Sequence, residues 1–253
     1  MDYEFLGGNL ALDFTNTLHS HGMSDPGEDL KTAADLVEWA AQAGLLRDAE
    51  THKLGRVHAD QVQFRRALAL RELLYEIFSR AAKGKKPQPQ ALRNFQSFYR
   101  SAIRRAEFHP VANHYRLMWP AATHPLERIS QEIARSAADL LTSEALTRVR
   151  QCSGERCSWL FVDNSRNGMR RWCDMKACGN RAKVQRFRRK LSRAVGNRVR
   201  RMRLSTFHKV KGEVKEKTGQ VTNNPDLEAD GRAEHNAGKG EKKIGQIEKV
   251  FEK

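Results

Sequence analysis

Apolar residues recur at helical spacing in four stretches of the first 147 residues. Residues 33–43 follow a candidate cap at Thr32 and stop at Gly44. Residues 60–82 carry Leu70, Leu73, Leu74, Ile77, Phe78 and Ala81, and Gly84 follows. Residues 90–106 repeat the pattern with Leu92, Phe95, Tyr99, Ala102, Ile103 and Ala106. Residues 126–141 do so with Leu126, Ile129, Ile133, Ala137, Leu140 and Leu141. Four such helices can bury a core against one another, so a helical domain is predicted for residues 1–147. The alternation over His114–Trp119 predicts a short strand, and KGKKPQPQ at 83–90 a surface loop.

The texture changes at about residue 148. WLFV (159–162) is strand-like, and the Asn-Gly pair in DNSRNG (163–168) predicts a hairpin turn. Residues 181–195 read as a helix with Val184, Phe187, Leu191 and Val195 on one face, interrupted by Gly196-Asn197. A small unit over 148–195, a basic linker over 196–206 and a tail over 207–253 follow from these shifts. In the tail, Val210, Val214 and Val221, and then Ile244, Ile247 and Phe251, lie at near-helical spacing around a turn at Asn223-Asn224-Pro225. Each interior glycine there costs about 1 kcal/mol of helix stability against alanine. A weakly helical hairpin and a partly disordered tail both stay open.

Charge separates the segments. The chain carries a net +16. Residues 1–147 are neutral, whereas 148–211 hold 20 basic and 3 acidic residues, and the tail is close to neutral. A block that basic faces polyanions. Arg166, Arg170 and Arg171 fall near the Asn-Gly turn; Arg181, Lys183, Arg186, Arg188, Arg189, Lys190 and Arg193 fall on the helix; Arg198, Arg200, Arg201 and Arg203 extend the field. Solvated charge runs usually mix signs, and this one does not. These positions are the candidate nucleic-acid contacts, with double-stranded DNA as the expected partner and RNA as the alternative. There is no basic leader before an apolar run and no stretch of about 18 apolar residues, so a cytoplasmic location away from membranes is expected.

All four cysteines lie in this block: Cys152-x4-Cys157, fifteen residues, then Cys173-x4-Cys178. Two short pairs flanking an insert suit a tetrahedral four-thiolate site for one structural zinc ion. Disulfides and catalytic thiols are the alternatives; the first are rare in the cytoplasm, and a nucleophile or redox couple needs fewer cysteines. Cys178 would start the helix, Gly179 would let amides approach its sulfur, and the whole would form a treble-clef-like finger. Four protein ligands leave no place for a catalytic water, so no enzyme is expected. The finger is expected to fold as its own module, so that its loss would leave the N-terminal helices intact.

Asp13, Asn16 and Thr17 are polar residues in an apolar stretch. They either hydrogen-bond within the core or line an effector pocket. His19 and His21, in LHSHG, read as surface or capping residues.

Residues 148–190, with Cys-x4-Cys, SRNG, RRWC and CGNRAK, resemble the CGNR zinc finger. GGNLALDFTNTL (7–18) and TAADLVEWAAQAGLL (32–46) resemble the ABATE domain that precedes it, and the tail from Phe207 resembles the CsbD-like stress-response family. The resemblance implies a stress-related bacterial transcription regulator with a DNA-binding finger. A ribosome-associated or RNA-binding stress protein is the alternative; for RNA, an exposed stacking aromatic such as Trp159 or Trp172 is expected. A homodimer and a small-molecule effector stay open.

Overall fold

A computed structural model describes residues 2–46, 60–120 and 123–251. It divides into two compact units, Met1–Ala182 and Lys183–Lys253.

The first unit is built on helices α1 (Leu10–Thr15), α2 (Ala33–Gln42), α3 (Gln61–Ala82), α4 (Pro89–Ile103) and α5 (Pro125–Thr142). Each begins where the local chemistry allows. Thr32 and Asp35 form a reciprocal capping box before α2, the Asp60 carboxylate accepts from the Val62 and Gln63 amides, and Pro89 and Pro125 occupy first-turn positions where no amide is needed. Between α4 and α5, strands β1 (Glu107–Val111) and β2 (His114–Met118) pair antiparallel, with Val111 opposite His114. This hairpin is mostly exposed, and Trp119 behind it donates its indole N–H to the Ala102 carbonyl at 2.8 Å.

The core contains Phe14, Leu36, Trp39, Leu74, Ile77, Phe78, Ile129 and Ile133, all essentially excluded from solvent. Each such side chain contributes about 1.5–3 kcal/mol relative to its exposed state. Three residues of the cysteine-bearing segment belong to the same core: Val149, Leu160 and Val162. They lie on β3 (Val149–Gln151) and β4 (Leu160–Val162), which pair antiparallel with Val149 opposite Val162. The finger, expected to fold as its own module, thus shares core residues with the helical domain. Its only sheet shares its apolar face with the helices.

The hairpin also differs in place from the expectation. Its connection is the first cysteine knuckle, residues 152–159, closed by the Cys152 amide bonding the Trp159 carbonyl at 2.8 Å. The Asn-Gly stretch does turn, with Gly168 at φ +61°. No strand follows it, because Asp163 anchors the loop instead, accepting from the Ser165 and Arg170 amides at 2.9 and 2.8 Å.

Helix α6 (Asn180–Val221), which enters the second unit at Lys183, runs on through Gly196, contrary to the expected interruption. Nothing stands within 4 Å of a Cβ built there, so neither packing nor backbone geometry asks for a break. After Asn223 at φ +55°, α7 (Pro225–Phe251) returns alongside. The glycines explain how. A Cβ on Gly212 would sit 2.4 Å from the His235 amide nitrogen, and one on Gly231 2.3 Å from that of Glu216. The two backbones touch at these points. Glycine spends helix propensity to permit that approach. Lys211–Glu234 at 2.8 Å and Arg232–Glu216 at 3.1 Å flank the seam. The side chains of Ile244, Ile247 and Phe251 lie outside the described residues.

Candidate metal centre and basic helix

The first knuckle leaves β3 at Cys152 and returns to β4 after Cys157. The second spans Cys173 and a single wide helical turn, Met175–Gly179, capped by Asp174, whose carboxylate accepts from the Ala177 amide at 2.7 Å. These segments bring the four sulfurs within 4.8 Å of one another. Cys157 and Cys173, and Cys173 and Cys178, stand 3.7 Å apart. Zinc–sulfur bonds of about 2.3 Å in a tetrahedron require sulfur separations of about 3.8 Å. The set therefore fits a four-thiolate metal site, and the separations are far too long for disulfides; all four cysteines are free.

The electrostatics agree. The Cys152 thiol is pushed down to about 2, first by hydrogen bonds from Cys157 and Cys173 and further by the Cys173 and Gly154 amides, each 3.4 Å from its sulfur. Cys157 is pushed up to about 12, chiefly by its hydrogen bond to Cys152, and Cys173 is pushed up by its bonds to Cys152 and Cys157. Four sulfurs this close cannot all ionise unless a cation compensates them.

Gly154 makes the geometry possible. A Cβ on Gly154 would meet Cys157 Cβ at 2.9 Å and the Cys178 sulfur at 3.3 Å. The Gly179 amide bonds the Asp174 carbonyl at 3.0 Å and so closes the turn that carries Cys178.

The metal site is joined to the helical domain by a polar seam that periodicity does not reveal. The Asn16 side chain makes both backbone bonds of Leu160, at 2.9 and 2.8 Å. The Val162 amide bonds the Gly7 carbonyl at 2.8 Å, and the Gly7 amide bonds Asp13 Oδ1 at 2.7 Å. Trp159 donates its indole N–H to His19 Nδ1 at 3.1 Å, and the Ser158 hydroxyl accepts from the His21 amide at 2.8 Å. His21 lies flat on Tyr75, ring centres 3.4 Å apart, and burial pushes its pKa down. The His21 side chain is thus buried, whereas that of His19 is 38% exposed and pairs with Asp29 at 2.8 Å. Both are packed against the finger by residues about 140 positions away, a separation that leaves no local signal.

The three polar residues of the N-terminal stretch are buried and hydrogen-bonded. Asp13 holds Gly7, Asn16 holds Leu160, and Thr17 Oγ1 donates to the Phe14 carbonyl while accepting from Arg71. Arg71 is itself buried, and its guanidinium forks onto Glu28 at 2.7 and 2.5 Å.

The basic residues separate into two kinds. Arg170 is a brace. Its guanidinium bonds the Trp172 and Cys173 carbonyls and covers the Phe161 ring at 4.5 Å. Arg166, Arg171 and Arg181 are exposed, Arg171 lying over the Trp172 ring at 5.4 Å. On α6, Lys183, Arg186, Arg188, Arg189, Lys190 and Arg193 are all exposed. No acidic residue occurs between the start of α6 and Glu213, against 13 Lys and Arg. The side chains of Arg198 and Arg201 lie outside the described residues. The apolar stripe is exposed too, Phe187 by 67% and Leu191 by 55%.

A helical domain carrying a structural four-cysteine finger is the class of protein this architecture defines. The family model ABATE, described as "Putative stress-induced transcription regulator", matches residues 8–144, and the chain belongs to that family. The CGNR zinc finger model matches residues 148–190 and the CsbD-like model residues 205–253. No curated protein matches the chain. Cys152, Cys157, Cys173 and Cys178 form the site for one zinc ion. The matched families are regulators and zinc fingers, and no helix among the described residues is long and apolar enough to cross a membrane.

Proposed function

We propose that the protein is a cytoplasmic, stress-related transcription regulator that binds double-stranded DNA through its basic segment and has no enzymatic activity. The observation that carries this reading is the acid-free run of exposed Lys and Arg on α6, which begins directly after the last zinc ligand. Such a helix attracts phosphates and gains affinity by releasing counterions. Zinc holds the knuckles, Asp174 caps the turn of the second one, and Arg170 ties the loop to the ring of Phe161. The metal supplies rigidity only, because all four of its positions are filled by thiolates.

The two tryptophans of the finger argue against RNA stacking there, while Phe187 on α6 is exposed. Trp159 is 7% exposed and committed to His19, and Trp172 is half-buried beneath Arg171, so neither offers a free stacking face. The near-neutral tail adds nothing to phosphate attraction. The test is a competition titration of duplex DNA against structured RNA at fixed salt. Preference for duplex with a steep salt dependence is expected; equal or tighter RNA binding replaces this reading with the RNA one.

A further inference from the structure

Helices α3, α4 and α5 leave a groove of about 830 Å³ in the first unit, remote in sequence from the cysteines. That volume suits a small organic molecule. Leu70, Leu73 and Phe98 supply an apolar wall, and Glu127, Ser130 and Gln131 bring polar groups from α5.

Gln131 is only 2% exposed. Its Nε2 donates to Glu127 Oε1 at 3.2 Å, which sets the orientation of the amide, since a carboxylate can only accept. Its Oε1 then has no donor among the described residues. Ser130 cannot supply one, because its hydroxyl donates to the Leu126 carbonyl at 3.0 Å. A buried acceptor left this way costs stability unless something donates to it. Arg105, 3.7 Å away, approaches the same Glu127 oxygen that Gln131 uses. The Glu127 side chain is 34% exposed, which leaves its carboxylate open to solvent at the groove. The groove thus combines an apolar wall with one unfilled buried acceptor, Gln131 Oε1, and a partly exposed carboxylate, Glu127, on one helix face; its other ionisable lining residues are Glu72, paired with Arg71 at 3.2 Å, and Arg66.

We infer that this groove binds a small amphipathic organic cation, with its N–H donors on Gln131 Oε1 and Glu127 and its apolar body against Leu70, Leu73 and Phe98. The site lies apart from Asp13, Asn16 and Thr17, whose polar groups already serve Gly7, Leu160 and Arg71. It does not depend on the nucleic-acid reading.

The probes are tryptamine and indole-3-propionate, which share one apolar body and carry opposite charge. They are titrated into the full-length, zinc-loaded protein by calorimetry, and the affected amides are located by NMR. Tryptamine is expected to saturate at low-millimolar concentration or below and to bind at least about tenfold more tightly than indole-3-propionate, a difference of about 1.4 kcal/mol. Shifts should centre on residues 63–73, 94–102 and 127–131. Gln131→Leu should weaken tryptamine at least about fivefold, and Ala69→Trp, which puts a large ring on an exposed lining position, should abolish binding; far-UV circular dichroism and zinc content verify both folds. The inference is overturned by equal affinity for the two probes, by no saturation with tryptamine up to about 10 mM, or by tryptamine binding that survives both variants. Duplex-DNA affinity, measured on the same samples, bears only on the preceding proposal.

Discussion

Asn16 and Leu160 are 144 residues apart, yet one side-chain amide completes the other's backbone as a neighbouring strand would. Asn16 Nδ2 donates to the Leu160 carbonyl at 2.9 Å, and Asn16 Oδ1 accepts from the Leu160 amide at 2.8 Å. Both residues are buried, so neither bond can be replaced by water. Asn16→Ala leaves a buried donor and a buried acceptor of β4 unpaired, which should cost about 2–4 kcal/mol. Urea denaturation followed by far-UV signal and by zinc release should show both transitions shifting together. A shift in zinc release alone would mean that the finger folds separately.

Zinc removal tests the same joint from the other side. Metal analysis should find one zinc per chain, held with the 10–16 kcal/mol order of apparent binding energy known for finger peptides. Cys173→Ser should release it. Because Val149, Leu160 and Val162 belong to the main core, this variant should lower the melting temperature of the whole first unit. Acid should release the metal as well, because the thiolates must then take up protons.

Asp13 is a buried carboxylate whose pKa burial pushes up to about 6, against a smaller opposing effect of the Gly7 amide. Its folded value is above its unfolded one, so the folded state binds the proton more tightly. Stability from this group is fully present below about pH 4 and is lost as pH rises through about 6. At pH 7 the ionised form should cost about 1–3 kcal/mol. Asp13→Asn keeps an acceptor for Gly7 and should be more stable than wild type at pH 7.5, with a smaller gain at pH 5. Denaturation midpoints of the two proteins at both values measure this difference.

The tail glycines make opposite predictions along one chain. Gly231→Ala places a methyl where backbone already stands and should force α6 and α7 apart, removing amide-exchange protection across residues 207–237. Gly196→Ala meets nothing and should stabilise its helix by about 1 kcal/mol. Equal effects of the two substitutions would show that the helices do not pack through their glycines.

Arg170 and Arg186 should separate bracing from binding. Arg170→Ala removes the contacts to two carbonyls and to Phe161, and should lower finger stability and zinc retention. Arg186→Ala should leave the fold intact, weaken all duplex sequences alike and reduce the salt slope by about 1. Replacing Arg186, Arg189 and Arg193 together tests the whole face; unchanged affinity would reduce it to a solvated surface.

Much of this protein is written locally. The helices announce themselves through apolar spacing, Thr32, Gly44 and Gly84 mark their ends, and the paired cysteines declare a four-thiolate site, because periodicity and ligand spacing act over a few residues. Long-range relations were decided only by tertiary packing. The strand-like WLFV run pairs backward with Val149–Gln151 rather than forward across the Asn-Gly turn, since its Leu160 and Val162 fill the helical core. His19 and His21 meet Trp159 and Ser158 across more than a hundred residues. Arg170 and Arg186 look alike in sequence, and only the carbonyls around Arg170 make it a brace. The tail glycines count against a helix residue by residue, and become its contact surface once a second helix lies against them. In each case the deciding partner is distant in the chain, and its free energy enters only when the fold brings the two together.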